Sequence, residues 1–391
     1  MTVTPELPDP RQPEGTDLLP TIGQVVILMK ENHTFDNYFG MLGRGDGFTL
    51  DASGQPTNSN PDRAGNPVRA HHLTSPWQPW HGLDQHWNAS HLQWNGGAND
   101  GFVRTTNSTL PMGYWTEQDL PFYYGLARTF PIGDRYFASC LAQTFPNRRF
   151  LQAATAHGMV ATTLFNPLTP NPPTGVIWDQ LDRYHISWLN YFAEAPEIGL
   201  YPRVLLEHPS KIRPVLDFYE DCRLGRLPDV SLITPETFLL SEGETQDVQL
   251  GEEFTASIVH AVMTSAAWPR ILLIIAYDEG GGYYDHVPPP TAVPPDGVAP
   301  DIHVPPDQPG GYDRLGFRVP CIIVAPFAKP DHVSHLVYDH TSILKTIQRK
   351  WNLPPLTRRD ATANDLLDFL DLDTAPAFLT PPVLPAPARH R

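Results

Sequence analysis

The sequence is short of basic residues and contains no cluster of them. Its 391 residues include 27 Lys and Arg against 43 Asp and Glu, which gives a formal net charge of −16. Proteins that bind nucleic acids neutralise the phosphate backbone with clustered Lys and Arg, so we expect no nucleic-acid partner. A cation is a more natural ligand for such a chain, and no protein partner is indicated.

Cysteines and long apolar runs are also scarce. Three widely spaced cysteines, Cys140, Cys222 and Cys321, provide neither a disulfide framework nor a Cys-based zinc site. No run approaches the roughly 20 apolar residues of a membrane span, and the opening MTVTPELPDPRQPEG has neither the basic head nor the apolar core of a signal peptide. We therefore expect a soluble protein without a transmembrane segment, either cytoplasmic or the mature form of an exported protein.

Proline and glycine, in contrast, are abundant. The chain has 44 Pro and 28 Gly, and 41% of its residues are apolar. This composition predicts a globular protein with long ordered loops. We divide the chain into a Pro-rich N-terminal arm (1–20), a single domain (21–370) and a Pro/Ala-rich C-terminal tail (371–391).

Four apolar runs rich in β-branched residues predict buried parallel strands. Amphipathic segments with helical spacing alternate with these runs. The alternation predicts an α/β fold, namely a three-layer sandwich in which helices flank a mainly parallel central sheet. The strand candidates are IGQVVILM (22–29), DVSLIT (229–234), RILLIIAY (270–277) and VPCIIVAP (319–326). The helix candidates are TGVIWDQLDRYH, PSKIRPVLDFYEDCRLG, EFTASIVHAVMTSAAW and YDHTSILKTIQRKWN.

Polar residues follow two of the predicted strands. Because the carboxyl ends of parallel strands meet at one edge of a sheet, these residues converge if the strands are neighbours. Carboxylates gathered there without a cation would repel one another, and their oxygens suit Mg²⁺, Ca²⁺, Mn²⁺ or Zn²⁺ equally. The alternative is that each acidic residue caps a helix or pairs with an Arg. The first set is Glu31 and Asn32, and the second is Asp278, Glu279, Asp285 and His286.

A hydroxyl group precedes another predicted helix. In CLAQTFPNRRFLQAATAHG (140–158), Thr144 lies two residues before Pro146, a residue favoured in the first helical turn. A hydroxyl there lies near the positive end of the helix dipole, where it can attack phosphorus or hold a phosphate. An N-cap threonine is the alternative. Arg148 and Arg149 add positive charge suited to phosphate.

The loop at 71–101 is rich in histidine and tryptophan. Its histidines can act as general acids, phosphate donors or metal ligands, although a structural role is the more common one. Its tryptophans can form an aromatic wall for a choline-like cation or simply pack. The residues are His71, His72, His81, His86 and His91, with Trp77, Trp80, Trp87 and Trp94.

Five segments, in sequence order, resemble those of one family, the bacterial and plant phosphoesterases that include phosphatidylcholine-type phospholipases C and a group of acid phosphatases. KENHTFDNYFG is similar to that family's ENRSFDHYFG, TFPNRRF to its T-x-PNR segment, and YDEGGGYYDHVPPP to its YDE-x-GGFFDHVPPP. GFRVPCIIVAPF and YDHTSILKTIQRKW match its closing segments. The resemblance covers about residues 22 to 370 and implies an alkaline phosphatase-like fold.

The resemblance also implies roles for the polar residues. One divalent metal ion would be held at the strand ends, and Thr144 would be the metal-bound nucleophile that is transiently phosphorylated. His91 and His286 would bind the transferred phosphate and protonate the leaving group. The metal ligands implied are Glu31, Asn32, Asp278, Glu279 and Thr144, and the substrate-binding residues are Arg148, His86 and Asp285.

Two features depart from the family pattern. The segment SEGETQDVQLG has Gly243 where the family often carries the His of Glu-His-Pro. The spacing of His86 from His91 also differs by one residue, so these two histidines are alternatives for one role.

We therefore predict a metal-dependent, phospholipase C-like phosphoesterase that hydrolyses phosphodiesters or phosphomonoesters through a phosphothreonine intermediate. An acid phosphatase acting on small phosphomonoesters is one alternative. A non-catalytic protein that binds a metal or an anion on the same fold is the alternative of another class.

Overall fold

The strands and helices are described in a computed structural model, which covers residues 6–79, 81–163, 171–235 and 239–388. Within those ranges the strands are β1 (Gln24–Lys30), β2 (Ser59–Pro61), β3 (Pro67–Arg69), β4 (His71–His72), β5 (Gly113–Tyr114), β6 (Ile132–Gly133), β7 (Trp188–Phe192), β8 (Ile212–Pro214), β9 (Val230–Thr234), β10 (Ile271–Tyr277), β11 (Cys321–Val324) and β12 (Val333–Ser334). The α-helices are α1 (Phe35–Phe39), α2 (Trp87–Trp94), α3 (Phe102–Thr106), α4 (Pro121–Thr129), α5 (Thr144–Ala153), α6 (Ile177–Arg183), α7 (Pro202–Glu207), α8 (Val215–Leu224), α9 (Val248–Thr264), α10 (His340–Lys350) and α11 (Arg358–Thr362).

Eight of the described strands form the central sheet, in the order β12-β6-β11-β10-β1-β9-β7-β8. β1 pairs in parallel with β10 and with β9, and β7 and β8 continue the parallel arrangement. Every residue of β10 is buried, as is all of β1 after Gln24, which accounts for the continuous apolar runs in the sequence. The predicted α/β fold with a mainly parallel sheet is confirmed.

The prediction that the strand at 319–326 runs parallel to its neighbours is wrong. This strand is β11, and it pairs with β10 in antiparallel register, with Ile323 opposite Ile274. The connection between them, residues 278–320, is fully described and contains no helix. A parallel neighbour requires a crossover connection, whereas a loop suffices for an antiparallel one. A run buried on both faces gives no signal of strand direction.

The helices form two groups around the sheet. α5 packs against α6 and α10, and α10 packs against α11, whereas α9 packs against α8 and α4. At the end of β1, Lys30 reaches the Gly251 carbonyl in α9, while the next residue, Glu31, reaches Arg148 in α5. Successive residues of a strand point to opposite faces, so the two helix groups cover opposite faces of the sheet.

The four predicted helical segments contain α6, α8, α9 and α10, with shifted limits. α8 starts only after Pro214, because residues 209–214 form a short 3₁₀ turn followed by β8. α9 starts at Val248, earlier than predicted, because the Asp247 carboxylate accepts a hydrogen bond from the Gln249 amide and caps the helix.

Both ends of the described chain contact the domain. The side-chain amide of Asn352 donates to the carbonyls of Asp9, Gln12 and Pro13. At the other end, the Trp268 indole donates to the Phe378 carbonyl, and the Ala388 amide donates to Glu252 Oε2. The terminal segments therefore lie along the domain surface as far as the structure describes them. None of the described helices is both long enough and apolar enough to cross a bilayer.

Candidate active site

The two polar strand ends lie side by side. β1 and β10 are neighbours in parallel register, with Lys30 opposite Tyr277, so Glu31 and Asp278 follow at the same edge of the sheet. The backbone N–H of Asn32 donates to Asp278 Oδ1 at 3.2 Å, which links the two chain segments directly. This edge is where α/β proteins bind their ligands.

The carboxylates at this edge carry an excess of buried negative charge. Asp278 and Glu279 are buried and Glu31 is nearly so. Burial raises the pKa of all three groups; the charge of Arg148 opposes this for Glu31 and Asp278, while the charge of Asp278 adds to it for Glu279. A fourth buried carboxylate, Glu197, has its pKa raised by burial as well. The group is unstable as a set of anions unless cations compensate it.

Arg148 is one such cation. Its Nε donates to Asp278 Oδ2 at 2.8 Å, its Nη1 to Glu197 Oε2 at 2.6 Å, and its Nη2 approaches Glu31 Oε1 at 3.4 Å. Nη2 also donates to the Lys30 carbonyl. Burial opposes protonation, but the three carboxylates outweigh it and raise the pKa of Arg148. These contacts hold the carboxylates in place. Arg148 was predicted to bind substrate, but all three of its guanidinium nitrogens contact groups of the protein.

The remaining donor atoms fit a divalent cation. Asn32 Oδ1 and Glu279 Oε1 are buried and have no hydrogen-bond partner among the described residues. Asn32 has a φ of 68°, a left-handed conformation that is uncommon outside glycine. Arg148 contacts three of the four buried carboxylates and carries a single positive charge, so negative charge is left to be neutralised. An all-oxygen set of this kind suits a hard or borderline ion, so Glu31, Asn32, Asp278 and Glu279 fit the metal site implied by the resemblance.

Thr144 lies at the beginning of α5, one helical turn before Arg148. The N-cap of α5 is Gln143, so Thr144 is the first helical residue and the alternative of an N-cap threonine is wrong. Residues at i and i+4 share one face of a helix, which places Thr144 on the same face as the guanidinium that contacts Asp278. The residue is 7% exposed, and among the described residues no hydrogen bond engages its hydroxyl.

The alternative histidines, His86 and His91, have different environments. His91 is buried against Trp87, its Nδ1 bonds the Trp87 carbonyl at 2.8 Å, and burial lowers its pKa. The side chain of His86 is 69% exposed, and its Nδ1 lies 2.8 Å from Asp84 Oδ1. The hydrogen bond to Asp84 raises the pKa of His86, so it is the better proton carrier near neutrality.

Asp285 and His286 belong to a separate charged cluster. Asp285 accepts from Arg318 Nε at 2.7 Å, and the two ring nitrogens of His286 lie 2.7 Å from Asp36 and 3.2 Å from Asp46. Burial opposes protonation of His286, but the hydrogen bond and charge of Asp36 outweigh it and raise its pKa to about 9. Asp36, Asp285 and His286 could also offer ligand atoms to a metal. However, the Arg318 guanidinium already donates to the carboxylates of Asp36 and Asp285. The contacts of Asp285 and His286 are therefore with this cluster and not with the carboxylates around Arg148.

The tryptophans of the 71–101 loop do not share one environment. Trp87 is buried, and Trp94 stacks on the Arg314 guanidinium at 4.3 Å. Trp77 is exposed, and Trp80 lies outside the described residues. These contacts favour packing over a shared wall for Trp87 and Trp94.

The segment at 241–244 borders the candidate metal ligands, a position that the sequence reasoning did not predict. Ser241 Oγ donates to Glu31 Oε2 at 2.9 Å. A Cβ atom at Gly243 would lie 2.8 Å from Glu31 Oε2, so this glycine directly borders the site. Burial raises the pKa of Glu244 to about 7, and the charge of Asp84 adds to this effect. The departure from Glu-His-Pro was the only signal in the sequence that marked this segment.

Comparisons with known proteins identify the family that this chain resembles. Residues 22–354 match the sequence model of the Phosphoesterase family. Phospholipase C B of Mycobacterium tuberculosis is 33% identical over 426 residues, which cover 92% of this chain and 79% of that protein. Non-specific phospholipase C1 of Arabidopsis thaliana is 29% identical over 399 residues, which cover 93% of this chain and 74% of that protein. Among solved structures, a protein in the alkaline phosphatase superfamily from Vibrio parahaemolyticus aligns with a TM-score of 0.41 at 10% identity, over 83% of this chain and 76% of that one.

Proposed function

The chain belongs to the phosphoesterase family, and on that premise we propose that it is a metal-dependent, phospholipase C-like enzyme that cleaves phosphodiesters through a phosphothreonine intermediate. The observation that carries the proposal is the position of Thr144, the first residue of α5, one turn from the guanidinium of Arg148. That guanidinium contacts Asp278 and Glu31, two of the four proposed metal ligands.

The proposed ligands define where the phosphate is bound. Glu31, Asn32, Asp278 and Glu279 would hold one divalent cation, which would lower the pKa of the Thr144 hydroxyl and neutralise a phosphate oxygen. Thr144 lies at the N-terminal, positive end of the α5 dipole, which favours an anion there. Arg148 acts indirectly, because its contacts keep Asp278 and Glu31 in place.

The chemistry follows a two-step displacement. The Thr144 oxygen forms a bond to phosphorus while the bond from phosphorus to the leaving oxygen breaks, and the hydroxyl proton is released. The leaving oxygen takes up one proton and departs as a neutral alcohol, which is diacylglycerol if the substrate is a phospholipid. The phosphorus on Thr144 still carries the headgroup, so this intermediate is a phosphodiester of threonine. Water then attacks that phosphorus and the bond from phosphorus to the Thr144 oxygen breaks, which releases the phosphorylated headgroup, while the Thr144 oxygen takes up a proton.

We assign protonation of the leaving group to His86 rather than to His91. His86 is exposed, and its pKa is raised by Asp84, so it carries a proton near neutrality. The negative charge of Glu244 also raises the pKa of His86, and it raises the pKa of Glu279. His86 is thus electrostatically linked, through Glu244, to the metal site. His91 has one ring nitrogen bonded to the Trp87 carbonyl and packs against that indole.

A phospholipid with a zwitterionic headgroup is the substrate that we favour. The relatives that cover most of this chain are named phospholipases C, which supports a diester of glycerol. The net charge of −16 opposes adsorption to anionic membranes but affects zwitterionic phosphatidylcholine less.

The test is hydrolysis of p-nitrophenyl phosphorylcholine and p-nitrophenyl phosphate, measured after chelation and after return of Mg²⁺, Ca²⁺, Mn²⁺ or Zn²⁺. We expect metal-dependent cleavage of the diester that Thr144→Ala reduces by at least about 10³-fold and Thr144→Ser partly retains. Thr374→Ala, which removes an exposed hydroxyl that donates to the Asp371 carboxylate, is the control. Mass spectrometry of the quenched reaction with p-nitrophenyl phosphorylcholine should find Thr144 carrying a phosphorylcholine group in the wild type.

Other outcomes would redirect the assignment. Cleavage of the monoester alone would indicate an acid phosphatase. If the wild type binds metal but hydrolyses neither ester, the chain is a metal- or anion-binding protein, and if Thr144→Ala stays active, the nucleophile is another group.

A further inference from the structure

A single buried carboxylate, Glu242, contacts both strand ends that carry the proposed metal ligands. We infer that Glu242 is a positioning residue of the metal site, which fixes the two ligand pairs from the face of the sheet opposite Arg148. The inference rests on the proposed function, because it concerns the same metal.

Every oxygen of the Glu242 carboxylate is engaged. Oε2 accepts hydrogen bonds from the Tyr38 and Tyr277 hydroxyls at 2.7 and 2.6 Å. Oε1 accepts from the Tyr123 hydroxyl at 2.5 Å and lies 3.1 Å from Lys30 Nζ. The side chains of Glu242 and Lys30 are fully buried. Four donors on one buried carboxylate fix its position much more firmly than a single ion pair would.

Two of these donors immediately precede the metal ligands. Lys30 is followed by Glu31 and Asn32, and Tyr277 is followed by Asp278 and Glu279. Lys30 and Tyr277 are also direct neighbours across the β1 and β10 pair. The carboxylate therefore joins the two backbone positions from which all four proposed ligands follow.

Glu242 also fixes its own segment against the site. Its carbonyl accepts from His33 Nε2 at 2.9 Å and from Gln78 Nε2 at 2.7 Å, and its φ is 73°, in the left-handed region. The preceding residue, Ser241, donates to Glu31 Oε2. A Cβ atom at Gly251 would lie 2.1 Å from Glu242 Cγ, so α9 leaves room for this side chain only because residue 251 is glycine.

The charge of Glu242 matters as much as its shape. The fully buried Lys30 ammonium has one carboxylate partner among the described residues, Glu242, whose Oε1 lies 3.1 Å from Nζ. Without that carboxylate, a buried ammonium would lie unpaired beside Glu31 and would repel a cation bound there. The inference therefore predicts weaker metal binding when Glu242 loses its charge or its contact with either strand end.

The experiment is a Mn²⁺ titration of the full chain, followed by electron paramagnetic resonance, for the wild type, Glu242→Gln and Tyr277→Phe. Tyr191→Phe is the matched control, since the buried Tyr191 hydroxyl donates to the Asp221 carboxylate at 2.8 Å in the same sheet. We expect Tyr277→Phe to weaken Mn²⁺ binding about 10-fold and Glu242→Gln by more, as for other residues that orient metal ligands. Tyr191→Phe should bind Mn²⁺ like the wild type.

A second measurement separates positioning from general loss of stability. The visible spectrum of the Co²⁺-loaded protein should shift in Tyr277→Phe and stay unchanged in Tyr191→Phe, even where the two variants unfold at similar temperatures. Equal Mn²⁺ affinities and equal Co²⁺ spectra in the two variants would overturn this inference alone. A wild-type protein that binds no Mn²⁺ would overturn it together with the proposed metal site. Tyr277→Phe keeps the test decisive if Glu242→Gln does not fold.

Discussion

Substitution of Gly243 by alanine tests the geometry of the metal site with one methyl group. A Cβ atom at this position would lie 2.8 Å from Glu31 Oε2, 3.2 Å from Gln246 Nε2 and 3.5 Å from Asn32 Nδ2. The φ of Gly243 lies outside the left-handed region, so alanine brings no backbone strain of that kind. The methyl group therefore acts through its contact with Glu31.

The expected effect follows from the size of that overlap. A carbon and an oxygen in ordinary contact are separated by 3.4 Å or more, so Glu31 or the 241–243 segment must move by about 0.6 Å. A misplacement of about 1 Å in an active site costs on the order of 100-fold in rate. We therefore expect Gly243→Ala to lower kcat/KM about 10-fold, which corresponds to ~1.4 kcal/mol of lost transition-state stabilisation.

The assay is steady-state hydrolysis of p-nitrophenyl phosphorylcholine at saturating metal, together with a Mn²⁺ titration. Gly297→Ala is the matched control, because nothing lies within 4 Å of a Cβ atom there and its φ is also outside the left-handed region. It should leave both measurements unchanged. If Gly243→Ala equals the wild type within about twofold in kcat/KM and in Mn²⁺ affinity, the placement of Gly243 against Glu31 is refuted.

Three further predictions concern charge. Arg148→Lys keeps a positive charge but loses the fork that joins Asp278 to Glu197, so calorimetric metal affinity should fall about 10-fold; unchanged affinity would count against an organising role. His286→Asn should lower the free energy of unfolding by about 1–2 kcal/mol at pH 6. The folded-state pKa of His286 is raised to about 9, so this loss should disappear as the pH rises through that value; a urea denaturation difference that persists at pH 10 would contradict it. Finally, metal should raise the melting temperature more at pH 8 than at pH 5.5, because protons compete for the buried carboxylates, whose pKa values are raised by burial; equal shifts would argue against these ligands.

The parts of the fold and site that were predictable from the sequence depend on local pattern. Continuous apolar runs gave β1, β9 and β10, because strands buried on both faces need no polar residues. The convergence of Glu31 with Asp278 was predicted on the condition that their strands are neighbours, since residues after neighbouring parallel strands share an edge; the pairing of β1 with β10 meets that condition. The direction of β11 was not predictable, because its burial pattern is the same in either orientation.

The surroundings of the site depend on contacts between residues far apart in the chain. Glu197 lies in a segment with no motif, and the segment of Glu242 was marked only by the departure at Gly243; the roles of both residues arise when α5 and β1 bring partners to them. The catalytic role of His286 was predicted from the family resemblance, and the sequence indicates none of its contacts. In the folded chain the turn after residue 281 carries it to Asp36 and Asp46, whose carboxylates engage both ring nitrogens.

The period of the strand explains how one register can specify the whole site. Lys30 and Tyr277 point to the face of the sheet where Glu242 joins them, and the next residues, Glu31 and Asp278, point to the face where Arg148 joins them. In both strands, a residue that contacts Glu242 is thus followed by a proposed metal ligand. The contacts on both faces depend on the same alignment of β1 with β10. A slip of one residue in that pairing would turn the side chains of one strand to the opposite faces. Its proposed metal ligand would then lie on the face where tyrosines bond Glu242. The buried Glu242 cluster therefore opposes such a slip, because Lys30 and Tyr277 both contact its carboxylate in the observed register and a one-residue slip would turn one of them to the other face.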